Sequence, residues 1–156
     1  FKIFTKSLQK QIEEYLSKGG NLLISGAYIA SDIFRSEYSD SNDIKFALNK
    51  LKYNIASGYA SKTGLVKSVN KFSNISFCFN TELNDKLYAV ESPDALLPVN
   101  GSKTIMRYID NDYSAAIGYK NEYGIIALGF PFETILGSDK RAEIIKSIVN
   151  YFQLKK

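Results

Sequence analysis

Apolar positions follow two rhythms along this chain. At the start, Leu8, Ile12, Tyr15 and Leu16 recur at i, i+4, i+7 and i+8, which predicts a helix over 5–18 with one inward stripe. Thr5 or Ser7 can cap its start, and Gly19-Gly20 ends it, because glycine accepts the left-handed conformation that closes a helix. Asn21-Leu22-Leu23-Ile24-Ser25 is a short apolar run stopped by Gly26, the pattern of a buried parallel strand. Residues 27–34 read as helical again and 35–43 as a polar loop. Asp43 is placed to cap a further helix through Leu51, with Phe46, Ala47, Leu48 and Leu51 inside.

From about residue 53 the period changes to two. Strands are predicted at 54–60, 64–69, 75–80, 86–90, 104–109, 114–120 and 123–129, the last two joined by the turn residues 120–124. Pro93 and Pro98 bracket a predicted loop. A helix over 138–153 closes the chain, with Ser138 as cap, Asp139 at the positive end of the dipole, and Ile144, Ile145, Ile148, Val149 and Phe152 facing inward. This order predicts one α/β domain over 1–156. Its architecture would be three layers: a mixed sheet, parallel in part and extended by antiparallel strands, with helices on both faces.

Composition narrows the function classes. The 156 residues suit a single core, and 45% hydrophobic with 23% charged residues excludes a disordered chain. The net charge of +4 is spread over Lys45/Lys50/Lys52, Lys62/Lys67/Lys71 and Lys155/Lys156 rather than gathered in a stripe, so no nucleic-acid partner is expected. No apolar stretch reaches the roughly 18 residues that a membrane span needs. Cys78 is the one cysteine, and its strand sets Phe77 and Phe79 on one face and Ser76 and Cys78 on the other. The chain opens Phe1-Lys2-Ile3 without an initiator Met and reads as a piece of a longer protein, any targeting segment lost with the remainder.

The chain has no histidine, which removes Ser-His-Asp and Cys-His triads, imidazole zinc sites and the usual general base near neutral pH. Ser7-Leu8-Gln9-Lys10 and Lys62-Thr63-Gly64 match two penicillin-binding fragments. The first lies in an ordinary amphipathic helix, and no S-D-N stands between them. No nucleophile elbow, P-loop or dinucleotide fingerprint is present, and no cofactor or metal is expected.

Two separated segments do carry a resemblance. The run from Tyr15 through Gly19-Gly20 to Ser25-Gly26, and the later Tyr123-Gly124 through Phe130-Pro131-Phe132-Glu133, resemble the helix–strand–elbow and late strand–loop segments of the class I glutamine amidotransferase-like superfamily. That resemblance implies a flavodoxin-like sheet. It also implies a nucleophile slot occupied by Tyr28 and a histidine slot occupied by Pro131, with Glu133 alone kept from the triad. An acid without a thiol to activate has no amidotransferase chemistry to perform. Degenerate members found in secreted bacterial proteins labelled xanthan lyase look similar over most of 8–153. In that superfamily a strand-helix-strand unit precedes the Gly-Gly helix; its lack here would leave a sheet edge exposed or reorganised.

The resemblance implies a non-catalytic accessory or binding domain of an exported, multidomain polysaccharide-processing protein, extracellular, periplasmic or at the cell surface. Its partners would be neighbouring domains of the parent chain or polysaccharide. Ligands of open α/β sheets lie outside the C-terminal strand ends, so Ser25, Gly26, Tyr28, Asp32, Pro131 and Glu133 would line a vestigial pocket. In the blander arrangement Tyr28 plugs it and Glu133 accepts backbone hydrogen bonds. Two alternatives stand beside this. A carboxylate-dependent polysaccharide enzyme needs a second acid within roughly 5–10 Å of Glu133. A protein-docking module needs a large exposed apolar patch.

Overall fold

The computed structural model describes residues 2–70 and 72–153. Lys71, Lys155 and Lys156 of the basic groups lie outside them. Among the described residues four α-helices and eight strands follow one another: α1 (Lys6–Ser17), β1 (Asn21–Ser25), α2 (Ser31–Phe34), α3 (Ser41–Phe46), β2 (Tyr53–Ser57), β3 (Leu65–Ser68), β4 (Ser76–Cys78), β5 (Ala95–Pro98), β6 (Lys103–Tyr108), β7 (Ser114–Lys120), β8 (Gly124–Leu128) and α4 (Ser138–Gln153).

The main sheet has six strands in the order β1-β8-β7-β6-β3-β4, and β2 pairs with β5 in a separate antiparallel ribbon. Only β1 and β8 run parallel, with Asn21 opposite Gly124 and Ser25 opposite Leu128. Alternation along β8 divides the core. Ile126 and Leu128 pack with Phe77, Phe79, Phe130 and the α4 residues Ile144 and Ile148. Ile125 and Ala127 pack on the other face with Leu16, Ile33, Phe46, Tyr53 and Leu96. The fold is therefore a mixed α/β sandwich with helices on both faces.

Several expectations are corrected. Strand β1 is parallel as predicted but half-buried, because it is the sheet's edge and has a neighbour on one side only. The Tyr15 hydroxyl covers part of that edge, donating to the Asn21 carbonyl (3.1 Å) and accepting from the Asn21 N–H (3.2 Å). The helix α3 starts at Ser41. Asp40 is its cap and Asp43 is the third helical residue of a reciprocal capping box. The same helix continues as a π-helix over Ala47–Leu51, where the Tyr123 hydroxyl donates to the Asn49 and Lys50 carbonyls.

The predicted loop around Ala95 is strand β5, since Pro98 sits at its end, where a missing N–H costs no ladder bond. The predicted strand 86–90 is irregular. The Asn80 side-chain amide donates to the Glu82, Leu87 and Tyr88 carbonyls, which bends that segment away from any ladder. Ser138 is the first residue of α4 rather than its cap, for the Gly137 carbonyl accepts the first helical bond from Arg141.

Candidate functional site

The elbow after β1 is fixed from behind by buried polar groups. Ala30 is wholly buried and Ile29 nearly so. The Tyr53 hydroxyl donates to the Ile29 carbonyl (3.0 Å). The Asp94 carboxylate accepts the Ala30 and Ser31 N–H groups (2.7 and 3.0 Å) and the Ser31 hydroxyl, capping α2 from 63 residues away because α2 has no cap of its own. Burial pushes the Asp94 pKa up, and these donors pull it partly back. Asp94 is in turn held by its N–H to the Gly129 carbonyl (2.7 Å) and by the Tyr108 hydroxyl on its own carbonyl (2.8 Å).

With Ile29 and Ala30 anchored inward, Tyr28 turns out and is 53% exposed, so it plugs no buried pocket. It lines a cleft of about 350 Å³ together with Ile3, Ser31, Asp32, Arg35 and Ser36. One Asp32 oxygen accepts the Ile3 N–H (2.9 Å), which lays the N-terminal arm along the cleft. Gly58 approaches from another side: a Cβ there would stand 2.7 Å from Ser31 Oγ and 3.0 Å from Arg35 Nη1.

The structure thus joins Tyr28 and Asp32 in one cleft and places the second motif beside it. Ser25 reaches that motif, its hydroxyl accepting the Phe132 N–H at 3.3 Å. Gly26 is half-buried, and a Cβ on it would meet Ile29 at 2.9 Å. Pro131 is buried and its carbonyl accepts the Thr134 hydroxyl (2.6 Å). Glu133 is exposed and faces another loop, where it accepts the Tyr88 hydroxyl at 2.7 Å. Burial, and then this bond to Glu133, push the Tyr88 pKa up to about 12, so the phenol stays a donor at neutral pH.

Ile3, Ser31, Arg35 and Ser36 are the cleft residues that sequence reasoning missed. Arg35 opens a polar segment that reads as loop, and its placement depends on the α2 turn that Asp94 holds. The Arg35 backbone N–H closes the α2 turn on the Ser31 carbonyl (3.0 Å), while its guanidinium donates no hydrogen bond and joins no salt bridge among the described residues. No group of three or more His, Cys, Asp or Glu among the described residues is arranged to hold a metal. Among the described residues no helix is long and apolar enough to cross a membrane. Cys78 lies at the far edge of the sheet, and burial pushes its thiol pKa up.

No family model matches the chain, and no curated protein matches it in sequence. Among solved structures, the exo-β-1,4-mannosidase of Opitutaceae bacterium strain TAV5 is similar over 97% of this chain and 24% of its own, with 12% identity and a TM-score of 0.54. A polyextremophilic β-galactosidase of the Antarctic haloarchaeon Halorubrum lacusprofundi is similar over 95% of this chain and 20% of its own, with 11% identity and a TM-score of 0.58. This chain spans about a quarter and a fifth of those proteins' lengths. Identity at this level is a likeness of fold.

Proposed function

We propose that this chain is a non-catalytic accessory domain of a larger polysaccharide-processing protein, with a degenerate, amidotransferase-like arrangement at its elbow. The observation that carries the reading is that nearly the whole chain matches a minor part of two glycosidases, one acting on β-1,4-mannosides and one on β-galactosides. Three features of the elbow support a binding role over a catalytic one. On the amidotransferase resemblance Tyr28 takes the nucleophile's slot and Pro131 the histidine's, and the remaining acid Glu133 is engaged by Tyr88. Export to the cell surface or beyond belongs to the same proposal.

The test pairs binding with turnover. The chain is heated with β-1,4-mannotriose, β-1,4-galactotriose and a panel of soluble polysaccharides, and the same mixtures are assayed for new reducing ends. At ten times Kd, binding to the folded state alone adds about 1.4 kcal/mol, a rise in Tm of roughly 3–6 °C for a domain of this size. The expected result is a saturable rise with at least one saccharide and no new reducing ends. Product release, or a flat response across the panel, overturns the reading.

A further inference from the structure

We propose that the cleft after β1 binds one neutral hexopyranose unit, with Tyr28 as the stacking platform, Arg35 as donor to ring hydroxyls and Asp32 as acceptor. This rests on the saccharide-linked reading above and adds the place and the chemical class.

At about 350 Å³ the cleft is at the lower end of the roughly 300–1,000 Å³ range of ligand sites, room for a single pyranose ring. Its walls match the two sides of such a ring. A pyranose has an apolar C–H face, and the half-exposed Tyr28 ring and the Ile3 side chain offer apolar surface for it. Its rim carries neighbouring hydroxyls that both donate and accept. Arg35 supplies donors that the fold does not consume, and Asp32 keeps one oxygen free while the other holds the Ile3 N–H.

Three carboxylates elsewhere in the fold are engaged by protein donors. Those of Asp43 and Asp94 are filled with protein donors, and Glu133 holds Tyr88. Asp32 and Arg35 lie three residues apart on one turn yet form no salt bridge with each other, so both are available to a third group.

The balance of charge selects a neutral sugar. Arg35 is countered by Asp32 within the cleft and by Asp94 behind it, whose pKa its charge lowers. A uronate would meet two carboxylates, and an amino sugar would meet the guanidinium. The groove between α1 and α3 is a poorer candidate. It is lined by Lys10, Lys45 and Lys50, its Lys6 is bound to Asp40 and Asp43, and the only ring lining it, Phe46, is buried.

The site is tested by calorimetry with the trisaccharide that raises Tm most, with trigalacturonate as the charged comparison. Tyr28→Ala and Arg35→Ala should each weaken the neutral sugar by about tenfold or more, the loss expected for a stacking contact or a charge-assisted hydrogen bond. Both side chains are exposed, so the unliganded variants should melt with the wild type, which separates lost binding from lost folding. If both variants bind as the wild type does, the site lies elsewhere and this inference falls while the accessory reading stands. Tighter binding of trigalacturonate than of any neutral sugar also overturns it.

Discussion

Asp43 ties three segments together, and replacing it with Asn should show how much that junction contributes. Its side chain is fully buried. It accepts from the Asp40 N–H (2.9 Å), Gln9 Nε2 (2.6 Å), Lys6 Nζ (2.7 Å) and Lys2 Nζ. Burial by itself would raise its pKa, but those donors outweigh burial and hold the carboxyl well below its ordinary range. Asn keeps one acceptor oxygen and turns an NH2 group toward two ammonium groups. Lys6 is half exposed and can return to water, so it adds nothing to the figure. Gln9 and the Asp40 N–H use different Asp43 oxygens, so the amide oxygen can keep one of them and strands the other, at about 1–3 kcal/mol for a buried group left unpaired. The expected loss is about 1–3 kcal/mol, or roughly 2–10 °C in Tm.

The pH dependence has a definite sign. The folded carboxyl binds its proton less readily than the unfolded one, so its stabilisation is complete above the unfolded value of 3.8 and is lost as pH falls below it. Urea unfolding followed by far-UV circular dichroism should show the full gap between wild type and Asp43→Asn at pH 7 and pH 5, and a narrower one at pH 3. A gap under about 0.5 kcal/mol at pH 7, or one that stays constant to pH 3, refutes the junction as described.

The remaining expectations are smaller in scope. Gly129→Ala puts a Cβ 2.0 Å from the Asp94 carbonyl oxygen, which is backbone and cannot swing aside, so little soluble folded protein is expected on expression. Phe130 stacks on Phe79 at 5.1 Å in the wholly buried aromatic cluster, and Phe130→Ala should cost about 3–5 kcal/mol by urea titration. Tyr88→Phe removes the donor to Glu133 at an exposed position. Saccharide affinity should be unchanged and stability altered by less than about 1 kcal/mol. Cys78 should react with a disulfide reagent more slowly than a free thiol and accelerate with rising pH, as measured by thiol absorbance release.

Much of the fold was legible because its elements carry their own local signals. The Thr5 cap of α1, the Gly19 stop at φ 79°, the β7–β8 turn and the bounds of α4 all stand where the sequence places them, whereas the α1 stripe does not: Leu16 is buried, Leu8 and Tyr15 are exposed, and Gln9 is buried in their place. The errors come from partners distant in sequence. Nothing near residue 95 announces that Ala95–Pro98 will pair with Tyr53–Ser57, and the alternation over 86–90 is overruled by a single amide on Asn80. The candidate site divides the same way. Tyr28 and Asp32 were legible from the strand end that precedes them. Arg35 was not, because its position follows from Asp94, far along the chain.

That dependence bears on how the elbow works. A helix of four residues such as α2 has too few internal bonds to hold a shape alone. Here Asp94 caps it, Tyr53 holds the preceding carbonyl, and both anchors belong to the β2–β5 region. Asp94 is further bound to Gly129 just beyond β8 and to Tyr108 at the end of β6. The cleft residues therefore ride on a turn clamped to three separate parts of the sheet region. A side chain positioned this way loses little freedom when a ligand arrives, so a few weak contacts can yield measurable affinity. The same clamp explains why the surface can be open without being loose: Tyr28 projects outward because its two successors are locked inward.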